Sequence, residues 1–328
     1  MNRLTTYLVL LPTTGERKKL RKILAGVFSG LFLVLALTIC SGGCQGEPPR
    51  SAEKPKVAAT IFPLYDIVRN IAGDKMEVVL ILPPGASPHT IELTPQHVRR
   101  LENSRLVFRI GHGLDDWTGR FTEFLEDGKA VIVDEGVELV SAGEEQHGQE
   151  DGHAHNGVNP HYWLSVKNAQ IIADHVLEKL IEVDAQNEQT YRNQAALYKD
   201  RLQHLELELK QQLEPFQGEE LITFHDSWVY YAREFDLVIV GNIEPFPGRQ
   251  PTPRYLASLQ EQIRRYDIRV LFSEPQLSSE SVEAFVADLG LELYVLDPIG
   301  GVAGRESYID LMKYNTNTIV EALSHGRE

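Results

Sequence analysis

Four side chains able to hold a cation stand beside apolar or amphipathic runs in this sequence, three of them after such a run and one before. His89 lies in PPGASPHTIEL, directly after an apolar run and before a segment opened by Thr94-Pro95. His161 lies in NPHYWLS, ahead of a long amphipathic stretch; His225 ends the run in LITFHDSW, and Asp297 ends the run in LYVLDPIGG. Imidazole nitrogen and carboxylate oxygen are donors that suit a borderline divalent cation such as zinc. The separations are 72, 64 and 72 residues, so no local word such as HExxH gathers them. Any site they form must be built by the fold. Singly, a histidine after a strand is more often a hydrogen-bonded structural residue than a ligand, and Asp297 before Pro298 suits a turn cap equally well.

The elements that would have to position them alternate in type. VAATIF (57–62), MEVVLIL (76–82), RLVFRI (105–110) and AVIVD (130–134) read as strands, with helical patterns at 64–72, from Thr94-Pro95 onward, and at 115–125. Two long helical patterns follow at 166–181 and 188–213, the second carrying an apolar stripe of Tyr191, Ala195, Tyr198, Leu202, Leu205 and Leu209 at spacings of three and four. After Pro215 the alternation resumes with strands ELITF (220–224), LVIVG (237–241), VLFSE (270–274) and LELYVLD (291–297), and a last helix at 308–323. Strands alternating with helices predict an α/β fold whose mostly parallel sheets are covered by helices on both faces. The long helix divides the chain into two lobes, with a ligand cleft between them. In open parallel sheets ligands bind beyond the carboxyl ends of strands, where His89, His225 and Asp297 fall.

The N-terminus reads as a targeting segment. A basic run (Arg17, Lys18, Lys19, Arg21, Lys22) precedes an apolar stretch from Ile23 to Ile39 and the small residues Ser41-Gly42-Gly43 before Cys44. That order is the export-signal pattern, and a stretch of seventeen residues is at the short limit for a retained membrane span. Cys40 and Cys44 are the only cysteines, so the mature body has neither a disulfide framework nor a thiolate metal site. The boundaries read from the chain are a signal over 1–43, a tether over 44–55, an N-terminal α/β lobe over 56–187, a linking helix over 188–214 and a C-terminal lobe over 215–328. The formal net charge is −15 with no basic block beyond the N-terminus, which argues against a nucleic-acid partner.

Longer phrases carry a resemblance. LPPGASPHTIELTPQHVRRLENSRLVFRIGHGLDDW (82–117), NPHYWLS, ITFHDSW, PGRQPTPRYLASLQEQIRR (247–265), LFSEPQ (271–276) and LDPIGG with SYIDLMKYNTNTI (296–319) resemble, in order, the zinc- and manganese-binding lipoproteins that feed ABC permeases. The resemblance runs from about Lys56 to the C-terminus. It implies a clam-like fold of two α/β lobes joined by one rigid helix, a non-enzymatic role in metal capture, and a metal site of His89, His161, His225 and Asp297. It implies Zn²⁺ as the transported ligand, with Mn²⁺ or iron the alternative; relatives thought to carry manganese often have glutamate where this chain has His225. The implied partner is an ABC permease. The implied location is periplasmic or cell-surface, with the chain, expected to be a monomer, held to the membrane through lipidated Cys44. Three neutral imidazoles and one carboxylate match tetrahedral zinc chemistry, and four protein ligands would close the shell against the water a zinc hydrolase needs. An adhesin is a third class of role, described for some relatives.

Secondary features have two readings each. The acidic loop 144–158 carries His147, His153 and His155, which resemble the histidine-rich insert of zinc-binding relatives but equally suit a plain solvated loop. Glu274 in LFSEPQ is placed to orient a ligand histidine or to cap the turn that follows. His112 reads as structural, and Trp117, Trp163 and Trp228 read as packing residues.

Overall fold

The computed structural model describes residues 54–92, 94–119, 130–141, 157–244, 247–276 and 280–326, the side chains of 280–282 excepted. The export signal, Cys44, most of the tether and the loop bearing His147, His153 and His155 lie outside the described residues.

The first half is a parallel sheet with helices against it. Strands β1 (Lys56–Ala59), β2 (Glu77–Leu80), β3 (Ser104–Arg109) and β4 (Ala130–Ile132) pair in the order β2-β1-β3-β4, every pair parallel. Parallel neighbours need a crossover; helices α1 (Phe62–Ala72) and α2 (Pro95–Leu101) supply two of them. Each of these helices carries a proline in its first turn, where the missing N–H costs nothing. Across the start of α2 the Thr94 N–H donates to His97 Nδ1 at 3.1 Å. Of the predicted helix over 115–125, the described part is a 3-10 turn at Asp116–Thr118.

Helix α3 (Val166–Val183) is capped by Ser165, whose hydroxyl accepts from the Asn168 N–H. Helix α4 (Glu188–Leu213) runs 26 residues. Its buried residues are Tyr191, Ala195, Tyr198, Leu202, Leu205, Leu209 and Leu213, the predicted stripe extended by one step. Burying each large member is worth roughly 1.5–3 kcal/mol, and this face, not helix propensity, holds α4 in place.

Beyond α4 come α5 (Val229–Glu234), α6 (Pro253–Arg265), α7 (Glu280–Asp288) and α8 (Tyr308–His325). They flank two parallel strand pairs, β5 (Glu220–Thr223) with β6 (Val238–Asn242) and β7 (Val270–Ser273) with β8 (Glu292–Val295); β5 also lies against β7. Lys54–Glu328 forms one compact unit. Its largest apolar core takes in Val57 and Phe108 from the first sheet, Leu202 and Leu209 from α4, and Phe272, Leu296 and Met312 from the second half. A smaller core, with Ile222, Phe224, Leu259 and Leu271, belongs to the second half alone. Asp66 on α1 reinforces the shared core: its Oδ2 accepts from the Tyr308 N–H at the start of α8 at 2.9 Å, and its Oδ1 pairs with Arg69. Among the described residues no helix is long and apolar enough to cross a membrane.

Candidate metal centre

Three loops converge at one end of these elements. The loop after β2 carries His89, whose N–H donates to Ser87 Oγ at 3.2 Å. The second segment leads into a short 3-10 turn (Tyr162–Leu164) with His161 at its N-cap, and the third follows β5 and carries His225. The structure brings the three imidazoles together: Nε2 of His161 stands 3.1 Å from Nε2 of His89 and 3.2 Å from Nε2 of His225. A tetrahedral zinc bound at about 2.0–2.1 Å separates its nitrogens by about 3.3 Å. The observed spacings sit close to that value.

The other ring nitrogens determine which way the lone pairs point. Asn159 Oδ1 accepts from both the His161 N–H (3.0 Å) and His161 Nδ1 (2.9 Å). The Asn159 amide donates to the Asp226 carbonyl at 2.6 Å, so its oxygen faces His161. In the neutral ring the proton therefore sits on Nδ1 and the Nε2 lone pair faces its neighbours. His225 Nδ1 lies 2.8 Å from Glu274 Oε2, a close charge contact at an angle off the ideal hydrogen-bond direction. The other carboxylate oxygen, Oε1, accepts from Ser227 Oγ (3.0 Å) and Trp228 Nε1 (3.2 Å). A carboxylate donates nothing, so it too favours the tautomer with an inward Nε2 lone pair. Converging lone pairs on largely buried rings are what a cation would relieve. Ser87, Pro88, Glu274, Gln276, Pro298 and Ile299 complete the lining of the small cleft.

Asp297 is treated differently. It is 1 % exposed yet does not join the three-histidine group. Its Oδ1 accepts from Gln276 Nε2 (2.6 Å), the Ile299 N–H (3.0 Å) and the Gly300 N–H (3.0 Å). Its Oδ2 faces Arg305 Nε at 3.3 Å. Asp297 thus caps its own turn, and its neighbour Pro298 lines the cleft. His112 lies outside the cluster and pairs through Nε2 with Asp134 at 2.8 Å. Trp163 and Trp228 are buried, as packing residues should be, and each also makes a hydrogen bond. The Trp163 indole donates to the Pro298 carbonyl at 2.8 Å, tying the His161 segment to that of Asp297.

Sequence reasoning missed several supporting residues. Asn159 stands two before His161, a spacing typical of side chains that bond their own backbone, and that was the available signal. Glu244, just past β6, is buried, and burial raises its carboxyl above the ordinary range. The Gly248 N–H and the charge of His225 pull it back, while Glu274 pushes it up further. Two carboxylates behind one imidazole make this side of the cleft favourable for positive charge. Gln276 and Arg305 carried no local signal.

Comparison with known proteins agrees with this architecture. The family model described as "Zinc-uptake complex component A periplasmic" matches residues 57–322. The high-affinity zinc uptake system protein ZnuA of Bacillus subtilis (strain 168) is 26% identical over 90% of this chain and 98% of its own. The manganese ABC transporter substrate-binding lipoprotein PsaA of Streptococcus anginosus is 29% identical over 91% and 98%. A crystal structure of ZnuA superposes with a TM-score of 0.72 at 26% identity, covering 82% of this chain and 99% of that one.

Proposed function

Because this chain belongs to the family of periplasmic A components of zinc-uptake complexes, the extracytoplasmic substrate-binding proteins of ABC importers, we propose that it captures Zn²⁺ between His89, His161 and His225. The family is one of binding proteins and not of enzymes, its membrane partner is an ABC permease, and the hydrolase reading falls away. The observation that carries the metal reading is the convergence of three imidazole Nε2 atoms within 4.8 Å of one another, two of them with tautomers held by Asn159 and Glu274. Three nitrogens favour zinc over manganese, which prefers oxygen donors. Manganese is the second reading, supported by the manganese-named relative. Asp297 is the fourth ligand in this proposal, supplying Oδ2 once that atom turns from Arg305 to the metal. Glu274 acts behind His225. The two lobes, 56–187 and 215–328, close on the metal around the helix over 188–214. A lipid on Cys44 anchors the monomeric chain, and His147, His153 and His155 collect weakly held metal near the cleft.

The test is native mass spectrometry of the metal-stripped protein offered zinc and manganese together. One zinc per chain, held against excess manganese and lost in His161→Ala, is the expected result. Retention of manganese against zinc overturns the metal assignment, and failure to hold either metal overturns the site.

A further inference from the structure

Resting on the metal-site reading above, we propose that Arg305 is a built-in competitor of the metal for Asp297, and that it sets how tightly the cargo is held and how fast it leaves. The two carboxylate oxygens of Asp297 are held differently. Oδ1 is saturated by three donors, two of them backbone N–H groups of the same turn, and so acts as the pivot. Oδ2 faces a single cationic group, Arg305 Nε at 3.3 Å, at an angle off the hydrogen-bonding direction. A carboxylate 1 % exposed cannot stay ionised cheaply without a counter-charge. Arg305 provides one in the arrangement seen here, and a dication provides a stronger one. Oδ2 has lone pairs for more than one partner, but a guanidinium drawing on that oxygen takes charge the dication would use, so the two compete.

Arg305 is fixed well enough to play this part. Its guanidinium carbon lies 4.3 Å above the centroid of the Tyr314 ring, and the Tyr314 hydroxyl is itself tied to the Val295 carbonyl at 3.1 Å. The ring offers the guanidinium a resting place after it gives up the carboxylate. The loop that bears Arg305 is closed by paired backbone bonds, Gly301 N–H to the Arg305 carbonyl and Arg305 N–H to the Val302 carbonyl, both 2.9 Å. Val302 in turn borders Gly85 in the loop that presents His89. Gln276 lines the cleft and donates to Oδ1, so it links the cleft wall directly to Asp297.

This inference predicts that weakening Arg305 tightens binding, the opposite of what a residue that merely places Asp297 would do. The experiment measures zinc affinity by chelator competition and release by stopped-flow in wild type, Arg305→Gln, Arg305→Lys, Asp297→Asn and the Arg305→Gln/Asp297→Asn double variant. Wild type must first bind one zinc that His161→Ala loses; if it does not, the site reading fails and not this one. Arg305→Gln is expected to bind zinc about tenfold more tightly, about 1.4 kcal/mol, with slower release, and the gain should vanish in the Asp297→Asn background. Weaker or unchanged affinity in Arg305→Gln overturns the proposal. So does a gain that survives intact without Asp297, which would mean simple repulsion between guanidinium and dication. Thermal melting checks that each variant is folded. Should Arg305→Gln not fold, Arg305→Lys, which keeps the charge but loses the planar fork over Tyr314, must still bind more tightly than wild type for the proposal to stand.

Discussion

Replacing Glu274 by Gln removes one charge from the site without changing the size of the side chain. In the wild type, Glu274 Oε1 accepts from Ser227 Oγ and Trp228 Nε1, and its Oε2 lies 2.8 Å from His225 Nδ1. An amide has one acceptor oxygen and two donor hydrogens, so it cannot serve both sides. If its oxygen stays with Ser227 and Trp228, its NH₂ faces His225 Nδ1 and the imidazole proton must move to Nε2. The lone pair aimed at the metal is then lost. If the oxygen turns to His225, two donors face the NH₂, and a buried unpaired donor costs about 1–3 kcal/mol of stability. Supporting carboxylates behind ligating histidines are typically worth 10–100-fold in metal affinity, or roughly 1.4–2.7 kcal/mol. Glu274→Gln should therefore raise the zinc Kd by about 10–100-fold in a chelator-competition titration, with a melting curve of the metal-free protein run beside it. An affinity within about twofold of wild type would refute the claim that Glu274 sets the tautomer of His225, whatever happens to the stability.

Two further outcomes probe the scaffold. Gly301 has φ +80°, and a Cβ added there would stand 2.7 Å from Phe62 Cδ2. Gly301→Ala should thus destabilise the protein by about 1–3 kcal/mol, lowering Tm by several degrees, and an unchanged Tm would show that the turn relaxes freely. Asp66 titrates against its surroundings: burial raises its carboxyl above the ordinary value, and the Tyr308 N–H and Arg69 only partly offset that. A raised folded-state pKa means the folded chain binds this proton more tightly, so the contribution to stability is fully present below the unfolded value and lost as pH rises through the folded one. Urea unfolding of Asp66→Asn, compared with wild type, should show the variant gaining ground between pH 3.5 and pH 7; a constant difference over that range would contradict the assignment.

What the sequence determined by itself was mostly local. The apolar stripe on α4, the proline-opened start of α2 and the β-branched runs were legible because helix and strand periods are written in neighbouring residues. The parallel, helix-covered sheets followed from strand–helix alternation. The rule that ligands sit beyond strand ends made His89 and His225 candidates without distinguishing them from structural histidines. The family phrases then joined them to His161. Tertiary structure decided the rest. That three imidazoles separated by 64 and 72 residues bring their Nε2 atoms within tetrahedral reach depends on how three loops return to one place. Only the fold could put Glu274 behind His225, or bring the Asp226 carbonyl to the Asn159 amide. Asp297 makes the difference plainest. Its position at a strand end was visible in the chain, but whether its free oxygen meets a metal or Arg305 is settled by packing between segments whose sequences do not mention one another.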